Sequence, residues 1–432
     1  MEEAKNIFLQ AIDKNKPGYL IEQTITTQKD GFTIAEQHFS TESRPVYLIA
    51  TGKASEAMTL SLQEKLGIRD ENTICIARFD EDQDTKEHII YASHPYPDDK
   101  SEKAAEALIR FAKNIPKQAI VLFAISGGTS ALISKPAEGI SIDEIRAVNK
   151  MLLNSGSSIH EINTVRKHLS AVKGGRLLTY FQSNITLIDL MISDVPGDEP
   201  EMIGSGPTIT DSTTFQDAYH TLTEYNLWKK IPKAARKHIE KGLTGEVQET
   251  PKRGNQTVKD HHTFIIGSGR KLAKSMAEAA EEKGYQPILA ENYYNTSVDK
   301  VIEQVMIDLN QSGGREPKAF IYYGESTLSI TGDGTGGRNQ AMALRAAKEI
   351  DGRTNTIWLS ADSDGSDGPT DAAGAAVSGE TIGQAKNRGL NPDEFIKNND
   401  AYHFHEAMQT LIKTGPTGNN LMDVVLILKG VK

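Results

Sequence analysis

Isolated cations set in glycine loops are the residues of this 432-residue chain with the clearest chemical capacity. Gly332-Asp333-Gly334-Thr335-Gly336-Gly337-Arg338-Asn339-Gln340 places four glycines within six residues and then an arginine where loop becomes helix. Such a loop leaves backbone N–H groups bare, and a helix start adds partial positive charge, so it can hold an anion such as phosphate. Arg338 can add two directed hydrogen bonds to phosphoryl oxygens, a geometry lysine does not match. Lys53 in Thr51-Gly52-Lys53-Ala54-Ser55 and the loop Ser126-Gly127-Gly128-Thr129-Ser130 are further candidates. Phosphoryl transfer needs such groups to position two oxygens in line and neutralise charge, commonly with Mg²⁺. The aspartates Asp194, Asp198, Asp362, Asp364 and Asp367 are all-oxygen ligands of the kind Mg²⁺ takes, whereas zinc prefers His or Cys.

Other chemistries compete. Gly332, Gly334 and Gly337 also spell the G-x-G-x-x-G dinucleotide fingerprint, with Asp351 about twenty residues on, so an NAD(P)H-dependent reductase stays open. Against it, Asp333 would put a negative charge into a pyrophosphate turn. Gly52-Lys53 is not a Walker motif, since position 47 is Tyr47 and no Ser or Thr follows the lysine. Neither Ser126 nor Ser205 sits in a G-x-S-x-G elbow. His403 and His405, two apart in a helical segment, face different directions and make a poor metal pair.

Strand, glycine turn and helix recur along the chain. Val46–Ala50 precedes the Lys53 loop, and Ala119–Ile125 precedes the Ser126 loop; continuously apolar strands alternating with helices predict a mainly parallel sheet covered on both faces. Capping boxes Ser141 with Glu144 and Ser158 with Glu161 announce two consecutive helices. The second ends in Arg166, Lys167 and Lys173, which either compensate the helix dipole or bind an anion. Acidic residues from Asp194 to Glu199 directly follow the apolar strand Ile185–Ile192, where α/β sheets place ligands and where a turn would use the same residues. The polar stretch from Lys241 to His262 predicts a domain boundary, giving domains 1–250 and 251–432.

Net charge is −10, and no Lys/Arg-dense run offsets it, which argues against a nucleic-acid partner. The single cysteine, Cys75, lies in a strand-like run and reads as a core residue. A polar, acidic amino terminus and the lack of a long apolar run point to a cytoplasmic enzyme without a membrane partner. Self-association is left open.

Taken together, the ordered motifs Ser126-Gly127-Gly128-Thr129-Ser130-Ala131-Leu132, Glu161 to Ser170 with Lys173-Gly174-Gly175-Arg176, Ser193-Asp194-Val195 with Gly197-Asp198, Ser205-Gly206-Pro207-Thr208, Gly336 to Gln340 and Asp367 to Ala375 resemble the class II glycerate 2-kinases, named in part for a module called MOFRL. The resemblance covers nearly the whole chain. It implies an α/β protein with a Rossmann-like three-layer N-terminal domain, a smaller α/β C-terminal (MOFRL) domain and an active site in the cleft between them. It also implies ATP-dependent phosphorylation of D-glycerate at its 2-hydroxyl with Mg²⁺ or a similar ion. Members of this family have been labelled hydroxypyruvate reductases, the alternative reached above; a non-enzymatic binder of small anions is a third reading. On this basis Lys53, Arg338 and Asp194 are assigned to catalysis, with Asp194 as proton acceptor. Ser126, Gly127, Gly128, Thr129 and Ser130, with Arg166 and Lys173, are assigned to the substrate carboxylate. Gly334, Gly336, Gly337 and Asn339 are assigned to the nucleotide, and Asp198 and Asp364 to the metal.

Overall fold

A computed structural model describes residues 1–79, 88–255, 257–314 and 316–430. Its backbone divides into two compact units that are discontinuous in sequence: 21–192 with 198–266, and 1–20 with 193–197 and 267–432. In place of a single cut at 250/251, the opening residues and the short Ser193–Gly197 segment go with the later part of the chain. The opening helix Glu2–Asp13 buries Ala4, Ile7, Phe8 and Ala11, the stripe its periodicity predicts. Beyond it, Asn15 Nδ2 donates to Ser275 Oγ, and the Tyr285 hydroxyl donates to Glu3, which ties the amino terminus to the helix Gly269–Glu282 and its exit.

The first unit opens with a three-stranded antiparallel sheet, β1 (Ile25–Gln28), β2 (Gly31–Ile34) and β3 (Gln37–Ser40). Its main sheet contains β4 (Val46–Thr51), β5 (Thr73–Arg78), β6 (Ile89–Ala92), β7 (Ile120–Ile125), β8 (Thr186–Ile192) and β9 (Asp260–Gly267), in the order β6-β5-β4-β7-β8-β9. The pairs β5/β6, β4/β5, β4/β7 and β7/β8 are parallel. Every residue of β7 and β8 is buried, as expected of strands covered on both faces. The chain runs from β4 outward to β6 and then returns to β7 on the other side of β4. The loops leaving β4 and β7 therefore lie at a topological switch point, where open α/β sheets bind ligands. Both capping boxes form as expected, starting the helices Ile142–Leu153 and Ile159–His168. These pack with Phe215–Glu224 and Lys233–Leu243 around Val148, Leu152, Val165, Phe215 and Leu222.

The second unit departs from the parallel expectation. Its strands are β10 (Gln286–Leu289), β11 (Tyr294–Ser297), β12 (Lys318–Thr327), β13 (Thr356–Asp362), β14 (Gly374–Ser378), β15 (Leu411–Ile412) and β16 (Asp423–Lys429). The order is β10-β12-β16-β13-β14-β15, with β11 also on β12. The last strand of the chain inserts between β12 and β13 antiparallel to both, and β14 returns antiparallel beside β13, so the sheet is mixed. Alternating strand and helix patterns could not register this, because β16 enters from the chain end without a crossover helix. Its register sets Asp362 and Gly324 on either side of Asp423. Trp358, fully buried on β13, anchors a core with Phe320, Met342, Val425 and Ile427. No helix among the described residues is long and apolar enough to cross a membrane. Replacing Trp358 with Ala is expected to cost about 3–5 kcal/mol, read as a lowered urea midpoint by circular dichroism.

Candidate active site

In the first unit the loops leaving β4 and β7 are laced together. The Lys53 N–H donates to the Gly127 carbonyl at 2.8 Å, the Ala54 N–H to Ser126 Oγ at 3.0 Å, and the Ser126 N–H to the Thr51 carbonyl at 3.0 Å. Thr129 is also committed, its hydroxyl to the carbonyls of Thr51 and Ser126 and its N–H to the latter. Of the five assigned loop residues, then, Ser126 and Thr129 build the loop. The amides of Gly127, Gly128 and Ser130 have no protein acceptor among the described residues and are the ones available to a ligand.

Gly128 and Ser130 line a cavity of about 160 Å³ whose walls include His94, Asn149, Arg166 and Lys173, with Pro95, Ile145, Val148 and Leu169 as its apolar part. That volume suits a molecule of a few heavy atoms and falls below the range typical of drug-sized ligands. Lys173 is 4 % exposed, and its ammonium donates to the carbonyls of Ser130 at 2.8 Å and Ile133 at 3.1 Å. Arg166 Nε donates to Asn149 Oδ1 at 2.9 Å. Neither cation forms an ion pair with a carboxylate among the described residues. Burial, with Arg166 adding to it, pushes the Lys173 ammonium down to about 7, and burial lowers Arg166 as well.

The neighbouring Lys167 behaves differently. It is buried with Asp211 at 3.2 Å and Glu201 at 3.3 Å, a compensated structural pair. One helix end thus carries both readings of its basic residues, Lys167 structural and Arg166 facing the cavity. Lys53 is not among the cavity-lining residues, but its stem lies near the position a Gly128 side chain would occupy. His94 shares that spot; burial first, then the charges of Lys53 and Arg78, lower its imidazole to about 4, so it is neutral at pH 7. Residue patterns gave no role to His94 or Asn149. The run His94-Pro95-Tyr96-Pro97 was the available signal for the former.

The glycine loop of the second unit is not an open cradle. The N–H of Gly332 donates to Asn399 Oδ1, that of Asp333 to Asn398 Oδ1, that of Gly334 to the Asn398 carbonyl and that of Thr335 to Asp400 Oδ1. At the start of the helix Arg338–Glu349, the Asp367 carboxylate accepts from the N–H groups of Asn339 at 3.1 Å and Gln340 at 2.8 Å. The anion this helix start attracts is therefore one of the protein's own side chains. A Cβ on Gly337 would stand 2.2 Å from the Asp367 carboxyl carbon, and one on Gly332 or Gly334 would strike Asn398 or Asp400. These glycines make room for polypeptide. Of the residues assigned to a nucleotide, the Gly334 amide donates to the Asn398 carbonyl, and Asn339 is fully buried with its amide side chain on Asp423 and Asp367. Gly336 and Gly337 pack against Ala401, Tyr402 and Asp367 in the same way.

Arg338 is the centre of a carboxylate cluster. Its Nε and Nη2 grip Asp423 at 2.6 and 3.0 Å, Nη2 also reaches Asp362 at 3.3 Å, and Nη1 meets Glu325 at 3.2 Å. Burial opposes its charge, but Asp423 above all, with Glu325 and Asp362, outweighs this and raises it above the usual arginine value. Burial, Asp423 and Asp364 hold the Asp362 carboxyl well above the usual range, and burial pushes Asp367 up to about 7. Asp194 lies in the Ser193–Gly197 segment that clusters with this unit, where the Ser193 N–H donates to the Gly267 carbonyl. Of the assigned metal ligands, Asp198 has a buried Oδ1 without a hydrogen-bond partner, whereas Asp364 Oδ1 already accepts from the Ser366 N–H at 2.9 Å. No group of three or more His, Cys, Asp or Glu poised for a metal occurs among the described residues.

An open α/β sheet with a small cationic cavity at its switch point defines a binder of, or enzyme for, small organic anions. Comparison narrows this. Residues 3–240 match a family described as a domain of unknown function (DUF4147), and residues 318–423 match the MOFRL family. The chain is 35% identical to a protein of Pyrococcus horikoshii named glycerate 2-kinase, over 97% of this chain and 95% of that one. It is likewise 35% identical to a D-glycerate 2-kinase of Thermotoga maritima, over 88% and 90% of the two chains. A crystal structure titled glycerate kinase (EC 2.7.1.31), also from Thermotoga maritima, superposes with a TM-score of 0.84 at 31% identity, covering 99% of each chain. The chain belongs to the class II glycerate 2-kinase family.

The Lys173 geometry carries a pH signature. Its folded value near 7 lies below the ordinary 10.5, so between those values the unfolded chain holds a proton that the native chain lacks. This contribution to stability is fully present above the unfolded value and is lost as pH falls toward 7. Lys173→Met is expected to flatten the rise in Tm between about pH 7 and 10 relative to the parent chain, measured by calorimetry in matched buffers.

Proposed function

We propose that this protein phosphorylates the 2-hydroxyl of D-glycerate with ATP, giving 2-phosphoglycerate and ADP. The observation that carries the reading is the cavity of about 160 Å³ lined by buried Lys173 and half-buried Arg166, neither paired with a carboxylate among the described residues, in a chain of this family. A three-carbon acid supplies the missing negative charge. Its carboxylate takes Arg166 and Lys173 with the amides of Gly127, Gly128 and Ser130, while Ile145, Val148 and Leu169 limit its length. As the carboxylate enters, Lys173 is held protonated, so substrate affinity falls as pH rises above about 7.

Lys53 and Arg338 supply positive charge to the transferring phosphoryl group, and Asp194 accepts the hydroxyl proton. Arg338 enters this role already aimed. Asp423 fixes the guanidinium bidentately, and the Nη1 edge, opposite half-exposed Glu325, is the one it can turn to a ligand. Asp198, whose Oδ1 is buried without a hydrogen-bond partner, and Asp364 are the carboxylates assigned to a divalent ion, which would supply charge neutralisation to the phosphates. The amides of Gly334 and Asn339 are engaged by the Asn398 carbonyl and Asp367, which supports a nucleotide site built on other groups of this loop. The same closure weakens the dinucleotide-fingerprint reading, since the first two glycines of the G-x-G-x-x-G pattern face Asn398 and Asp400.

The test is a pair of assays on purified protein. ADP release from ATP, Mg²⁺ and D-glycerate, with 2-phosphoglycerate detected directly by enolase, is expected, and NADH oxidation by hydroxypyruvate is not. NADH oxidation without ADP release overturns the proposal, and glycerate binding without turnover returns it to an anion-binding protein. Arg166→Ala is expected to raise KM for glycerate at least tenfold with a smaller change in kcat. Arg338→Ala is expected to lower kcat by about 10²–10³.

A further inference from the structure

The Gly204-Ser205-Gly206 segment stands directly behind the loop that follows β7. All three residues take left-handed backbone conformations, with φ of 59°, 61° and 57°. For the glycines this costs little, and a Cβ on Gly204 would stand 2.7 Å from the Thr129 side chain. For Ser205, 1 % exposed, the same conformation is unusual and persists only where its surroundings hold it. Its backbone is held by the turn after Lys173: the Gly174 N–H donates to the Ser205 carbonyl at 3.0 Å and the Gly175 N–H to the Gly206 carbonyl at 2.7 Å. Its side chain is held by two polar neighbours.

Ser205 Oγ donates to Asn163 Oδ1 at 3.1 Å and lies 2.9 Å from Ser130 Oγ. Buried Asn163 is not free to reverse its amide, because its Nδ2 faces the Met202 sulfur at 3.8 Å and a thioether can only accept. The Ser205 proton is therefore committed to Asn163, and the contact with Ser130 uses the Ser130 proton. Ser130, half-buried in the wall of the substrate cavity, keeps only lone pairs for a ligand. The rest of the cavity is rich in donors. Arg166 and Lys173 can only donate, and Asn149, whose oxygen takes Arg166, has its amide N–H groups to offer. The Ser170 hydroxyl donates to the Lys135 carbonyl. Neutral His94 and the Ser134 hydroxyl can accept, but no side-chain hydrogen bond among the described residues fixes the direction of either. An oxyanion satisfies the donors; a hydroxyl proton on the same ligand needs an acceptor, and burying it without one is costly.

We propose that Asn163 and Ser205 hold the Ser130 hydroxyl as an acceptor for the second hydroxyl of a 2,3-dihydroxy acid, so that Ser130 selects glycerate over its 3-deoxy analogue, lactate. The assignment rests on the kinase reading for the placement of the carboxylate at Arg166 and Lys173; Ser205 and Asn163 are positioning residues. Isothermal titration calorimetry with D-glycerate and D-lactate, in the absence of nucleotide, tests it. The parent chain is expected to bind D-glycerate about tenfold more tightly than D-lactate. Ser130→Ala is expected to bring the two affinities within about twofold by weakening D-glycerate alone. Ser205→Gly frees the Ser130 proton and suits the left-handed backbone, and it is expected to lower the ratio with D-lactate unchanged. A purely structural role for Ser205 would weaken both acids alike, and that result overturns the proposal. So does a parent chain that binds the two acids equally, or a Ser130→Ala ratio like that of the parent. If Ser205→Gly does not fold, the Ser130→Ala ratio decides. A preference for glycerate without ADP release removes the kinase reading and leaves the Ser130 assignment standing, whereas ADP release without the preference does the reverse.

Discussion

Charge buried without a partner is the constraint on which the functional architecture rests. A cation removed from water is costly unless something balances it, and buried Lys167 and half-buried Arg338 both obey that rule. Lys167 has Asp211 and Glu201; Arg338 has Asp423, Asp362 and Glu325. Arg166 and Lys173 have only neutral partners, Asn149 and two backbone carbonyls. The protein tolerates this because the β4 and β7 loops, tied to each other through Lys53, Ala54, Ser126 and Gly127, leave a small cavity beside them. The depressed Lys173 value expresses the same cost, which an incoming anion would relieve.

The second unit solves the opposite problem. Around Arg338 there are three carboxylates for one guanidinium, and burial together with the neighbouring carboxylates Asp423 and Asp364 holds Asp362 above its ordinary value. The cluster is a product of strand register: β16 enters between β12 and β13 with Asp423 level with Asp362, and the helix start brings Arg338 to both. Asp367 caps that same helix start, and Asn339 bridges Asp367 and Asp423. Such a network fixes an arginine side chain that would otherwise sample many rotamers.

Much of this was legible beforehand. Apolar strands alternating with helices marked the parallel sheet, and the Ser141 and Ser158 boxes marked the starts of two helices, which end at Leu153 and His168, short of the glycine turns at Gly156 and Gly174. The loops at Lys53 and Ser126 pointed to the carboxyl ends of strands, and the family motifs selected Arg166, Lys173 and Arg338. Asn149 and Glu325 have no role in that reading, since nothing in their local sequence separates a wall of a site from an ordinary surface residue, and His94 carries only the proline-flanked run His94-Pro95-Tyr96-Pro97 as a signal.

The sequence by itself determined what local chemistry fixes: which segments become strands or helices, where glycines allow sharp turns, and which cations stand at strand ends. Only the tertiary structure decided what each group faces. The same basic helix end holds a compensated Lys167 and an uncompensated Arg166, and the same glycine loop that reads as a phosphate cradle is filled by Asn398, Asn399, Asp400 and Asp367. A glycine reports that something comes close to the backbone, and a buried cation that something must balance it. The identity of the neighbour depends on residues far away in the chain, and that information exists only once the chain has folded.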